Sequence, residues 1–143
     1  MSDKYPIEEF NIREAKGKDF YKIMVVNTAL TEYRFKNDFP WCLIVEVDIK
    51  DQTQLYKLPT ESEGIILNFF EDTLSEIIKG NCSSLYVGRI TDNGHRSLYY
   101  HIDSPKDVHE ALQKFISSGL HSHEFEYNIT KDEQWNSTKI FFD

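Results

Sequence analysis

The chain has 143 residues, and its 24 acidic against 16 basic side chains give a formal net charge of −8. That length suits one domain over residues 1–143, able to bury roughly 70% of its unfolded surface without a disulfide or metal staple. The acidic balance opposes nucleic acid, whose affinity rests on phosphate neutralisation by Lys and Arg, and it opposes adsorption to anionic membranes.

Phe10–Ala15 and Phe20–Asn27 flank Lys16-Gly17-Lys18, which predicts an N-terminal hairpin over about 10–27. Residues 28–39 are mixed and polar and read as a loop. From Trp41 to Ile49 the odd positions are apolar, so Leu43, Val45, Val47 and Ile49 point inward from a half-buried strand. Thr60-Glu61-Ser62-Glu63 matches a capping box, with Thr60 accepting from first-turn amides and Glu63 reaching back. Ile66, Phe69, Phe70, Leu74, Ile77 and Ile78 then recur at helical spacing, and Gly80 stands where a left-handed terminator is wanted.

Asn93-Gly94 between two alternating runs predicts a type I′ hairpin, since that turn needs positive φ at both central residues. The implied register sets Thr91 opposite Arg96, Arg89 opposite Leu98, Val87 opposite Tyr100 and Leu85 opposite Ile102. Leu85, Val87, Leu98, Tyr100 and Ile102 then face the core, and Tyr86, Ile90, Tyr99 and His101 face away. Ser104-Pro105 opens a second helix carrying Val108, Leu112, Phe115 and Ile116, and Gly119 closes it. Glu124–Thr130 alternates again, with Phe125, Tyr127 and Ile129 inward; residues 131–143, with Trp135 and Phe141-Phe142, read as a folded-back tail.

Strand, helix, strand, strand, helix, strand over about 41–130 is the ferredoxin-like split βαβ order, an α+β sandwich with two helices on one face of an antiparallel sheet. The extra hairpin precedes it. In this topology strands 41–50 and 124–130 are neighbours, which brings Glu46 and Asp48 near Glu124 and Glu126. Regional charge agrees: residues 41–80 carry −5 and 120–143 carry −3, while the remaining segments are neutral. The expectation is a non-enzymatic domain that binds a basic protein partner through a sheet face bearing Glu46, Asp48, Tyr86, Tyr99, His101, Glu124 and Glu126. A solvated face, or one covered by the hairpin, is the plainer reading. The alternative is an anion-binding or catalytic domain using Arg89 and Arg96.

Other chemistry is sparse. His121-Ser122-His123 offers two metal nitrogens, but no CxxC or HExxH completes a set, so no metal or cofactor is expected. Cys42 and Cys82 lack disulfide-type spacing and an electropositive setting, which predicts inert reduced thiols. No P-loop, GxGxxG or GxSxG occurs, so no catalytic residue is assigned. The start lacks an apolar signal core and no apolar run spans a membrane, hence a cytoplasmic expectation.

Phe39-Pro40-Trp41, Leu58-Pro59, Tyr86–Arg96 with Tyr99-Tyr100, and Asp132–Trp135 together resemble the bacterial family catalogued as domain of unknown function 695. The resemblance covers roughly residues 10–142. Related domains accompany the regulator of ribonuclease E activity B, which inhibits an enzyme by binding it. The resemblance therefore implies protein-inhibitor behaviour, of an acidic inhibitor or immunity type, and no catalytic residues. No counterpart of that regulator's additional acidic domain is expected within residues 1–143.

Overall fold

A computed structural model describes residues 4–143. Six strands, β1 (Phe10–Lys16), β2 (Tyr21–Asn27), β3 (Trp41–Asp48), β4 (Ser84–Asp92), β5 (His95–Ile102) and β6 (Phe125–Lys131), form one sheet in the order β1-β2-β4-β5-β3-β6. Every neighbouring pair is antiparallel. Helix α1 (Glu61–Asn81) follows β3 and helix α2 (Lys106–Ser118) follows β5. The molecule is thus an α+β domain, and β3 pairs with β6 as the chain order implies.

Two cores lie on opposite faces of the sheet. The first joins Leu43, Val45, Val47, Leu98, Tyr100 and Ile102 to Leu67, Phe70, Leu74 and Ile78 of α1 and to Val108 and Leu112 of α2. The second joins Val26, Leu85, Val87 and Ile90 to Leu30, Tyr33 and Phe39 of the 28–39 segment and to Trp135 and Phe141 of the tail. The N-terminal hairpin covers neither face. It extends the sheet beyond β4, and β1 is exposed along its whole length.

Helix α1 is phased differently from the spacing argument. Its buried positions are Glu63, Leu67, Phe70, Leu74 and Ile78, while Ile66 is 49% and Phe69 70% exposed. A run with apolar residues at 65, 66, 67, 69 and 70 supports two stripes, and polar anchors select one. Glu63 accepts from the amides of Lys50 and Asp51 and lies 3.2 Å from His123 Nε2, so it ties α1 to the end of β3 instead of capping its own helix. Thr60 does cap, accepting from Glu63 N–H at 3.4 Å. Gly80 is helical and α1 runs on to Asn81, whereas α2 ends at Gly119 with φ 69° as its sequence implies. Pro105 sits at the cap of α2, one residue outside the helix.

The Asn93-Gly94 turn has positive φ at both residues, 47° and 87°. The register holds from Asp92 opposite His95 to Gly88 opposite Tyr99, then slips. Gly88 pairs with Tyr99 and Tyr86 with Tyr100, leaving Val87 as an extra residue. This bulge reverses the expected alternation: Tyr86 turns toward the helices, and Leu85 and Val87 enter the second core. Glycine is required beside it, because a Cβ at Gly88 would stand 2.4 Å from the Val25 carbonyl oxygen and 2.8 Å from the Phe141 ring.

Candidate functional site

The residues singled out in the sequence separate into three places. Glu46, Asp48, Glu124 and Glu126 do come together. Glu46 is directly opposite Glu126 across β3 and β6, and Asp48 N–H donates to the Glu124 carbonyl at 3.0 Å. With His95 and Phe125 they line a cleft of about 400 Å³. His95 Nε2 lies 3.7 Å from Glu46 and 3.5 Å from Asp48. All four carboxylate residues are exposed. Like charges facing each other across strands cost up to roughly 1 kcal/mol per pair, so the fold tolerates this cluster rather than deriving stability from it.

Tyr86, Tyr99 and His101 do not share that open surface, which corrects the expected face. The bulge sends Tyr86 to the helix side, where it packs against Tyr100 at 5.2 Å and its buried hydroxyl has no hydrogen-bond partner among the described residues. Burial pushes that phenol up, and Glu71 adds to the effect. Tyr99 is half-buried beneath Phe141, 4.9 Å between ring centres. His101 is fully buried under Trp135, the two rings parallel at 4.0 Å.

Arg89 and Arg96 lie on the helix-covered side and are engaged by protein groups. Arg89 Nη1 donates to both Glu71 carboxylate oxygens at 3.0 Å. Arg96 donates to Thr91 at 3.1 Å and to Asn68 at 3.0 Å. Burial, and then Arg89, lower the Arg96 guanidinium to about 10. His121 and His123 are not paired toward a common ion: His123 faces Glu63, and His121 Nδ1 bonds the His123 carbonyl at 3.0 Å.

A constellation absent from the sequence reading lies beneath the tail. Cys42 is directly opposite His101 on β3 and β5, both side chains on the second face. Asp132 follows β6, its N–H donating to the Pro40 carbonyl at 2.7 Å. The Cys42 sulfur, a His101 ring nitrogen and an Asp132 carboxylate oxygen lie within 4.8 Å of one another. Burial pushes the Cys42 thiol up to about 12, with Asp132 adding to it and the Ser137 side chain opposing. Burial lowers the His101 imidazole to about 4 against the pull of Asp132 and the Trp41 backbone. Burial also disfavours ionised Asp132, but the Ser137 and Asn136 amides outweigh it and hold the carboxyl below its usual range. Cys42 and His101 could have been found together from the β3–β5 adjacency that the strand order implies. Asp132 could not, because the tail has no period to read.

The fold and these sites define an α+β domain with a covered second face and an acidic cleft at one sheet edge. Residues 14–143 match the model of a family of unknown function, DUF695, and the chain belongs to that family. Two runs that carried the resemblance meet in space: Trp135 Nε1–H donates to the Phe39 carbonyl at 3.0 Å, next to Asp132 and His101. No curated protein and no solved structure matches the chain.

Proposed function

We propose that this is a ferredoxin-like, non-enzymatic domain that binds a basic segment of another protein along its β6 edge. The strand order β4-β5-β3-β6, with a helix after β3 and another after β5, supports the ferredoxin-like description. The observation that carries the binding reading is the cleft lined by Glu46, Asp48, Glu124 and Glu126, with His95 the one basic residue among its lining groups. β6 ends the sheet, and no strand among the described residues pairs with its outer edge. An extended partner can add there through main-chain hydrogen bonds while its Lys or Arg side chains meet the carboxylates.

Carboxylates at an exposed rim accelerate encounter and select the partner more than they add affinity. The tyrosine anchors first expected pack against Tyr100 and Phe141 and do not line this cleft, so binding depends on charge and backbone pairing and is sensitive to salt. Glu46→Lys, Asp48→Lys, Glu124→Lys and Glu126→Lys combined should abolish low-salt recovery of the partner that the unaltered protein retains. Unchanged recovery of that partner by the folded variant refutes the proposal.

A further inference from the structure

We propose that Cys42, His101 and Asp132 form a Zn(II) site that fastens the C-terminal segment onto the sheet. The three donors come from separate parts of the chain and converge to within 4.8 Å. Zinc bound by sulfur, nitrogen and oxygen at about 2.0–2.3 Å needs donor–donor separations of about 3.3–3.7 Å, so small side-chain adjustments close the set. Thiolate and imidazole ligands select Zn(II) over Mg(II) and Ca(II), which take oxygen donors.

A second observation points to a missing ligand. His101 is 0% exposed, yet its Nδ1 has no partner in hydrogen-bonding geometry among the described residues, the Trp41 backbone giving only a weaker electrostatic pull. Its Nε2 is within 2.9 Å of Thr138 Oγ1. An orphaned buried polar atom costs roughly 1–3 kcal/mol, and a bound ion or a proton removes that cost.

The surroundings hold the donors in place. Asp132 accepts from the Asn136 and Ser137 amides, each at 2.9 Å, which aims its carboxylate while leaving lone pairs for a metal. Trp135 stacks on the His101 ring and fixes its plane. Asp132 is half-buried as a residue while the donor set itself is buried, and a water can complete a four-coordinate shell there. On binding, the Cys42 thiol releases its proton to solvent and the thiolate coordinates; His101 coordinates as neutral imidazole. The same burial excludes the other chemistry open to a cysteine beside a histidine. Cys42 is 0% exposed and no substrate carbonyl can reach it.

The ion would link β3, β5 and the tail, so it acts as a clasp over the second core. Its effect is a stability that depends on free zinc. The test uses the reduced full chain, stripped with chelator and titrated with Co(II) and Zn(II). One Co(II) should bind per chain with a thiolate-to-metal charge-transfer band, Zn(II) should displace it, and Zn(II) should raise the melting temperature. Cys42→Ala, a small change at a packed site, should lose the band, while Cys82→Ala keeps it. Asp132→Asn should weaken Zn(II) on the order of 10- to 100-fold, with its fold checked by circular dichroism. Absence of the band in the unaltered protein, its persistence in Cys42→Ala, or Zn(II) stabilisation undiminished in both variants overturns the proposal.

Discussion

Replacing Trp135 should remove the second core's central support, and two substitutions separate its contributions. Trp135 is 2% exposed, lies 4.0 Å from the His101 ring and 5.4 Å from the Tyr33 ring, and donates to the buried Phe39 carbonyl. Emptying such a site by Trp→Ala costs about 3–5 kcal/mol, and the orphaned carbonyl adds roughly 1 kcal/mol. With a urea slope near 2 kcal/mol per molar, Trp135→Ala should lower the unfolding midpoint by about 2–3 M. Trp135→Phe keeps an aromatic ring and loses the donor, so it should cost about 1.5–3 kcal/mol. Trp135 has φ 58°, in the left-handed region, and both variants retain that backbone cost, so it cancels between them. Urea unfolding followed by far-ultraviolet circular dichroism measures both, with Trp41 left as an internal fluorescent reporter. If Trp135→Ala falls within about 1 kcal/mol of the unaltered protein, or Trp135→Phe costs as much as Trp135→Ala, the tail does not hold the second core as described.

Further outcomes follow from the helix phase, the bulge and the buried imidazole. Leu67→Ala should cost about 2–5 kcal/mol and Phe69→Ala less than about 0.5 kcal/mol; urea midpoints in the reverse order refute the observed phase. Gly88→Ala should cost about 1–3 kcal/mol through overpacking against the Val25 carbonyl and Phe141, and an unchanged thermal midpoint refutes that close approach. In chelator-treated protein, His101 titrates near 4 when folded against an ordinary 6.5. The unfolded chain therefore takes up the proton first, and stability is complete above about pH 7 and falls by roughly 3 kcal/mol as pH drops from 6.5 to 4. Urea unfolding at stepped pH should show that slope, flattened in His101→Asn; equal slopes in the two proteins refute the assignment.

What the sequence discloses here depends on periodicity. β3, the Thr60 cap, the Asn93-Gly94 turn and the Gly119 stop each carry a local signal, and each has its expected form. Three features lack one. Val87 looks like any alternating residue, and only the close approach of Gly88 to β2 shows why the strand bulges there. The phase of α1 is set by Glu63 binding loop amides, a long-range contact that helical spacing cannot report. The 28–39 segment reads as a polar loop and 131–143 only as a folded-back tail, because Leu30, Tyr33, Phe39, Trp135 and Phe141 are spaced irregularly and name no partner, yet they form about half of the second core. The same gap divided the candidate sites. Four carboxylates on alternating strands were legible as a group. The Cys42, His101 and Asp132 set needed a folded tail to become one.

The position of Trp135 and Phe141 in the chain has a consequence for biosynthesis. Both must emerge from the ribosome after the strands they cover, because β2, β4 and β5 all precede them. A chain ending at β6 can close the helix-backed face by pairing β6 with β3, while Leu85, Val87 and Ile90 remain wet on the reverse side. The nascent domain is then an amphipathic half-fold with an adhesive back, the kind of species that chaperones retain and that aggregates when translation stalls. Truncation of the chain just after β6 would expose that state. The next ten residues, through Trp135 to Phe141, would end it.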